Sequence, residues 1–147
     1  MLRDSLLRHL IAQNHLKDSL TEIRNLLAAH HSHDIVPVAN GVFAAGGSQS
    51  THSVSGYQNV WVRDNVTIAD SFRLRGQLDP AIACVHGLTQ FFGTQLHRFR
   101  EVIADPINTL KEGANCRPHI RFAAQNMAEL PEKWPHEQND SLGQVLW

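Results

Sequence analysis

The sequence has almost no net charge, few cysteines and no long apolar run, and each shortage excludes a class of protein. Thirteen Lys and Arg residues are balanced by fourteen Asp and Glu residues, for a formal net charge of −1. A chain balanced in this way has no field to hold nucleic acid or an anionic membrane surface. It also has no run of about 20 apolar residues that could span a bilayer. We therefore expect neither nucleic acid nor a membrane as a partner.

The two cysteines, Cys84 and Cys116, are too few to form a disulfide framework. Cys84 stands in an apolar helical stretch and is predicted to be a small buried hydrophobe. The first ten residues alternate charge with leucine, so they lack the apolar core of a secretory signal. The cytoplasm is therefore the expected location. No cofactor is predicted.

What the chain does have is enough apolar sequence for one soluble domain, since 42% of its 147 residues are hydrophobic. Apolar residues form one stripe of an amphipathic helix from Leu16 to about His30, and residues 2–13 have a similar texture. Residues 35–46 are rich in small and β-branched side chains and are interrupted by proline and glycine. That composition predicts short strands or extended turns.

A helical hairpin is predicted in the middle of the chain. Residues 60–62 should be extended, and Asp64 is the predicted N-cap of a helix over residues 65–75, with Gly76 as its stop. A second helix should begin a few residues later. Because the gap between the two helices is so short, they should pack as antiparallel neighbours.

The start and end of the second helix are marked by proline. Asp79 is the predicted N-cap and Pro80 the first helical residue, and Pro106 should end the helix at Asp105. Residues 108–126, which carry the basic pair Arg117 and Arg121, are predicted to be irregular. After them, Asp140 or Ser141 should cap a last helix over residues 142–147.

Two tryptophan blocks carry the chemistry. The first contains Trp61, Arg63 and Asp64, and the second runs from Trp134 to Asp140. A sugar offers an apolar C–H face on which an indole can stack, and hydroxyls that charged side chains can bind. An isolated Arg-Asp pair is more often a helix cap with a surface arginine, but two such blocks favour a site. Because the blocks are distant in sequence, the fold would have to assemble that site.

Together the blocks resemble glycoside hydrolase family 15, the glucoamylase-like glycosidases, whose domain recurs in the alpha and beta subunits of phosphorylase kinase. The resemblance covers roughly Val36 to Trp147. Its motifs are Trp61-Val-Arg-Asp-Asn65 and the set Trp134, His136, Gln138 and Asp140, with Pro135 where the family usually has glycine. It implies an all-α fold, the N-terminal part of an (α/α)6 toroid, with short β-strands or turns near residues 36–63.

The resemblance also implies a role for each matched residue. Arg63 and Asp64 would hydrogen-bond the hydroxyls of the non-reducing-end glucose of an α-glucoside or α-glucan. Trp134 would lie against the sugar near the scissile bond, and Trp61 would shape the wall beside the Arg-Asp pair. The residues that would brace the loop without touching substrate are His136, Gln138 and Asp140.

Family members hydrolyse their substrates with inversion, using one carboxylic acid and one opposed carboxylate about 6.5–9.5 Å apart. The resemblance implies that both lie beyond residue 147. Glu129, Glu132 and Glu137 come too early and are predicted to be solvated loop charges. The last helix stops after roughly one and a half turns. We therefore expect residues 1–147 to be an N-terminal fragment of one glucoamylase-like domain, partnered by the rest of that domain and inactive alone.

Three other interpretations stay open. One is a non-catalytic regulatory or scaffold domain of the phosphorylase kinase type, acting in glycogen metabolism, because those subunits have His at the position of His136. Another is metal binding, since His30, His31 and His33 cluster among ten histidines. Consecutive histidines at a helix end point in different directions, however, and no zinc-type spacing is present, so no metal is predicted. The third is a plain helical domain with tryptophans in its core.

Overall fold

In the computed structural model, residues 17–32, 34–46, 56–111, 116–132, 134 and 138–146 are described. The chain divides into two compact units, Met1–Ile35 and Val36–Trp147. The elements are helices α1 (Lys17–Ala29), α2 (Val62–Leu74), α3 (Leu78–Thr94), α4 (Leu96–Ala104), α5 (Pro106–Lys111) and α6 (Asn139–Leu146), and strands β1 (Val60–Trp61) and β2 (Arg121–Phe122). The chain is thus mainly helical, as predicted. The predicted helix over residues 2–13 lies outside the described residues.

In the first unit, α1 confirms the amphipathic helix predicted from Leu16 to about His30. It ends in a Schellman motif, in which the Ser32 N–H donates to the Leu27 carbonyl at 2.9 Å and the His31 N–H to the Ala28 carbonyl at 3.0 Å. His31 takes the left-handed position usually filled by glycine, with φ 55°. Its ring Nδ1 lies 2.6 Å from a carboxylate oxygen of Asp34.

In the second unit, the two strands form a small antiparallel pair. Val60 is opposite Phe122 and Trp61 is opposite Arg121. Isolated β-bridges also pair Ala44 with Val60, Ala39 with Val42 and Phe122 with Glu129. In the described residues of the range 36–63, which are 36–46 and 56–63, the predicted short strands or turns are present. Their role is to bring the chain to the start of α2.

Helix α2 follows β1 without a loop, which corrects the predicted cap at Asp64. Its N-cap is Trp61, in an extended conformation with no side-chain capping bond. The Val62 N–H instead donates to the Ile120 carbonyl at 3.0 Å. The Ile120 backbone thus satisfies the first N–H of the helix, and Asp64 lies in the first turn, where the helix dipole favours a carboxylate. The predicted stop at Gly76 holds, since Gly76 has φ +73° just after the helix.

Helix α3 begins at Leu78, with Gln77 as its N-cap, so Asp79 lies in the first turn and is not the cap. It packs against α2 as the predicted hairpin. Cys84 in α3 is fully buried and its Sγ lies 3.5 Å from the backbone oxygen of Asn65 in α2. Burial raises the pKa of the Cys84 thiol to about 11, in agreement with the predicted structural role.

The long helix predicted to run to Asp105 is interrupted at Gln95. Gln95 is 1% exposed, and its side-chain N–H group donates to Glu129 at 2.6 Å. Its amide oxygen accepts the backbone N–H of His119 at 3.2 Å. The buried amide thus anchors two distant segments at the junction of α3 and α4. Apolar periodicity continues through this junction and therefore hides the break.

Two further boundaries correct the sequence predictions. Helix α4 ends at Ala104 with Asp105 as its C-cap, as predicted, but Pro106 also begins α5, and Asp105 accepts the Asn108 backbone N–H at 3.1 Å. Proline at the first helical position is favourable because its missing N–H would be unpaired there. Helix α6 begins at Asn139, so Asp140 lies in its first turn and neither Asp140 nor the buried Ser141 is the cap.

The core of the second unit lies under the strand pair and the hairpin. Its buried apolar residues are Val42, Phe43, Val60, Val62, Ala69, Phe72, Ala81, Cys84, Leu88, Phe91, Ile120, Phe122, Ala124 and Met127. The rings of Phe91 and Phe122 stack at 3.9 Å between centroids. This stack fixes β2 against α3 and so fixes the strand that carries Arg121.

Candidate functional site

The two tryptophans of the predicted site are in contact. The ring centroids of Trp61 and Trp134 are 5.3 Å apart at an interplanar angle of 88°, an edge-to-face arrangement. The Trp61 indole N–H donates to the Gly56 carbonyl at 3.3 Å. Both side chains are only partly buried. The fold has therefore brought together the blocks that the sequence separates.

The charged residues of the two blocks also meet. Arg63 Nη1 lies 3.1 Å from Asp140 Oδ2, with about half of each side chain exposed. Arg63 is in the first turn of α2 and Asp140 in the first turn of α6. A carboxylate in the first turn is favoured by the helix dipole, but an exposed ion pair contributes little stability. The pair therefore fixes geometry more than it stabilises the fold.

The Arg63–Asp140 pair is a contact that the sequence did not predict. Asp64 follows Arg63 in α2 and is half-buried. The joint action of Arg63 and Asp64 on a sugar stays a prediction, and so does the loop-bracing role of Asp140, whose carboxylate joins the second block to α2.

The other two loop residues are placed less fully. Gln138 precedes α6, and its backbone carbonyl accepts the Ser141 N–H at 3.1 Å. Its side-chain oxygen is buried and has no hydrogen-bond partner within the described part of the chain. His136 lies outside the described residues. The loop-bracing role of these two residues stays a prediction.

Arg121 completes a tryptophan cluster that consists of Trp61, Trp134 and Arg121. The sequence shows Arg121 only as one member of a basic pair with Arg117. Its guanidinium carbon lies 4.4 Å from the Trp134 ring centroid and 5.6 Å from that of Trp61. Nη2 donates to Glu132 at 3.3 Å. Arg121 is directly opposite Trp61 in the strand pair. No sequence pattern indicated this contact, because two-residue strands are too short to show a period.

A second arginine joins the same region to α6. Arg117 Nη1 donates to the side-chain oxygen of Asn139 at 3.2 Å. Asn139 is the first residue of α6, and the next residue, Asp140, is the one that pairs with Arg63. Two side-chain links therefore hold the start of α6 beside the tryptophan pair.

Two of the glutamates predicted to be solvated loop charges are ion-paired. Glu132 pairs with Arg121, although its own side chain is 64% exposed. Glu129 accepts Arg98 Nε at 2.9 Å and Gln95 at 2.6 Å. The Arg98 hydrogen bond, with a smaller effect from Gln95, lowers the pKa of Glu129 to about 2. Glu137 lies outside the described residues.

One opening in this unit lies away from the tryptophans. It is a groove of about 630 Å³ between α2, α3 and α6. Its walls are mainly aliphatic, including Val66, Ile82, Val85 and Val145, and none of the predicted sugar-binding residues lines it. A pyranose needs an aromatic platform and hydroxyl partners. We therefore assign the candidate site to the tryptophan cluster and not to this groove.

The described residues contain neither a cluster of metal ligands nor a membrane-spanning helix. In that part of the chain, no three His, Cys, Asp or Glu side chains converge as metal ligands would. His33, one member of the histidine cluster, lies outside the described residues. Nor does any described helix have the length and apolar character needed to cross a membrane.

No protein-family model, no curated protein and no solved structure matches the chain.

Proposed function

We propose that this protein binds the terminal glucose of an α-glucoside or α-glucan through the side chains of Trp61, Arg63, Asp64 and Trp134. The observation that carries the proposal is the 5.3 Å contact between Trp61 and Trp134. Indole rings beside an arginine and a carboxylate provide the apolar platform and the hydroxyl partners that a pyranose requires.

The charges of the site support the same ligand class. Arg63 and Asp140 are about half exposed, and Asp64, the next residue after Arg63, is half-buried. A neutral sugar can share such groups, because its hydroxyls both donate and accept hydrogen bonds. Arg63 carries five N–H donors and uses Nη1 for Asp140, so it retains donors for a hydroxyl.

The wider proposal is that the domain is of the glucoamylase-like type. In that case α2 and α3 form an early hairpin of an (α/α)6 toroid, and the activity is inverting acid-base hydrolysis of the glucosidic bond. The motif resemblance of the two tryptophan blocks supports this. None of the residues matched by that resemblance is the family's acid or base, so the function proposed for Trp61, Arg63, Asp64 and Trp134 is binding.

The Arg63–Asp140 pair supports a second candidate, a non-catalytic domain of the phosphorylase kinase type. Since Asp140 engages Arg63, the two blocks are held together without a ligand. Such a domain would bind a glucan end for regulation or attachment. It would share the binding site and differ in lacking hydrolysis.

Isothermal titration of the protein with maltose, and with acarbose, tests the binding site. We expect wild-type protein to bind and Arg63→Ala to bind about ten-fold or more weakly, as for a lost charge-assisted hydrogen bond. Arg73→Ala is the matched control, because Arg73 also forms an exposed ion pair, with Asp70 at 2.7 Å. It should bind like wild type.

A further variant tests whether Arg63 contacts the sugar or only links the two tryptophan blocks through Asp140. Asp140→Asn removes the charge that holds Arg63 but leaves Arg63 in place. If Arg63 contacts the sugar, Arg63→Ala loses more affinity than Asp140→Asn. Equal affinity in wild type and Arg63→Ala, or no binding by wild type, contradicts the proposed function.

A further inference from the structure

Arg121 is a buried cation held mainly by aromatic rings. Its side chain is 7% exposed, whereas that of its ion-pair partner Glu132 is 64% exposed. Its Nε has no hydrogen-bond acceptor among the residues that the structure describes. A buried charge is costly unless it is compensated. Here the compensation comes from Glu132 and from the electron-rich faces of two indoles.

The strand register places the guanidinium beside the Trp61 ring. Trp61 and Arg121 are direct partners in the antiparallel pair, so their side chains are cross-strand neighbours. Trp134 comes from a distant loop and lies 4.4 Å from the guanidinium carbon, closer than Trp61 at 5.6 Å. Three side chains from three segments thus contact one another, with the two indole rings edge to face.

Gly56 leaves room for the Arg121 guanidinium beside the two rings. A Cβ at Gly56 would lie 3.0 Å from Arg121 Nη1. The Gly56 carbonyl also accepts the indole N–H of Trp61 at 3.3 Å. The same backbone position therefore orients one ring and admits the guanidinium.

We propose that Arg121 is a positioning residue of the carbohydrate site, which sets the orientation of Trp134 by stacking on one face of its indole. The opposite face is then the one on which a pyranose stacks. This role rests on the proposed function, and it assigns to Arg121 no contact with the sugar.

A lysine cannot replace arginine in this role. Its ammonium is compact and strongly hydrated, whereas the planar guanidinium can stack on an aromatic face. If Arg121 served only to balance the charge of Glu132, lysine would be tolerated at position 121, because Glu132 would keep a cationic partner. The Arg121→Lys substitution therefore distinguishes positioning from charge balance.

The test uses wild type, Arg121→Lys and Arg121→Met, with Arg73→Lys as the control. Two measurements are made on each protein, the near-ultraviolet circular dichroism of the indoles and the affinity for maltose. We expect Arg121→Lys to lose intensity in the indole bands and to bind maltose about ten-fold more weakly. Its far-ultraviolet spectrum should match that of wild type. Arg73→Lys should be unchanged in all three.

The outcomes separate this inference from the proposed function. If wild type does not bind maltose, the proposed function fails, and the indole spectrum still reports whether Arg121 orders the tryptophans. Unchanged indole bands in Arg121→Lys overturn the positioning role. Should Arg121→Lys fail to fold, Arg121→Met keeps the apolar stem and removes the buried charge. Loss of the fold in both variants overturns the positioning role in favour of a purely structural one.

Discussion

The side-chain amide of Asn65 binds the backbone of Phe43 as a neighbouring strand would. Asn65 Oδ1 accepts the Phe43 N–H at 2.8 Å, and Asn65 Nδ2 donates to the Phe43 carbonyl at 2.8 Å. Nδ2 also donates to the Trp61 carbonyl at 2.9 Å. Asn65 is fully buried in α2. One side chain therefore joins the extended segment, the tryptophan strand and the hairpin.

We expect Asn65→Leu to destabilise the second unit strongly. The substitution leaves the buried N–H and carbonyl of Phe43 without partners, which costs about 1–3 kcal/mol for each group. Urea unfolding followed by circular dichroism measures the loss. Asn126→Ala is the control, because exposed Asn126 makes one hydrogen bond to the Ala128 N–H and should cost about 1 kcal/mol or less. Equal losses in the two variants would contradict the structural role of Asn65.

Two glycines of α3 should respond oppositely to alanine. A Cβ at Gly87 would lie 2.5 Å from the Asn40 carbonyl oxygen and 2.7 Å from Val42 Cγ1, whereas a Cβ at Gly93 meets nothing within 4 Å. Gly87→Ala should cost about 1–3 kcal/mol through overpacking. Gly93→Ala should be neutral or stabilising by up to about 1 kcal/mol. Thermal melting of the two variants checks this, and a stable Gly87→Ala protein would refute the close approach of the extended segment to α3.

The sequence was sufficient to predict the hairpin and the pairing of tryptophan blocks at one place. Both follow from strong local patterns, the apolar period of α2 and α3 and the repeated tryptophan-charge motif. Helix starts were predicted less well. Asp64, Asp79 and Asp140 are all good capping residues, yet each lies in a first turn, where the helix dipole also favours a carboxylate.

The remaining errors have a tertiary cause. Gln95 interrupts the long helix because its amide binds Glu129 and the His119 backbone, partners that are distant in sequence. Arg121 enters the candidate site through a strand pair whose register no local period reveals. In both cases a buried polar side chain is defined by its partners, and those partners appear only in the folded chain.

We expect a polypeptide of residues 1–147 alone to release no glucose from maltose or from longer α-glucans. Glu129 is held by Arg98 and Glu132 by Arg121, so neither carboxylate is expected to act as the acid or the base. A glucose assay after long incubation measures this, with a fungal glucoamylase as positive control. Release of glucose at a rate proportional to protein concentration would contradict the assignment of these residues to binding.

The stability of the second unit should fall in acid because of Glu129. The pKa of this carboxyl is lowered from 4.5 to about 2, chiefly by the Arg98 hydrogen bond. A pKa that is lower in the folded than in the unfolded protein stabilises the fold above the unfolded value, and this stabilisation is lost as pH falls through the folded value. The urea midpoint should therefore decrease between pH 4.5 and about 2.

Substitution of Glu129 isolates its share of this dependence. Glu129→Gln retains a hydrogen-bond acceptor for Arg98 and Gln95 but cannot titrate, so its urea midpoint should be lower than that of wild type at neutral pH and should fall less on acidification. Glu101→Gln, in exposed α4, is the matched control and should follow wild type. If Glu129→Gln loses stability in acid as steeply as wild type does, another carboxyl controls the transition. The buried junction of Gln95, Arg98 and His119 would then not depend on the charge of Glu129.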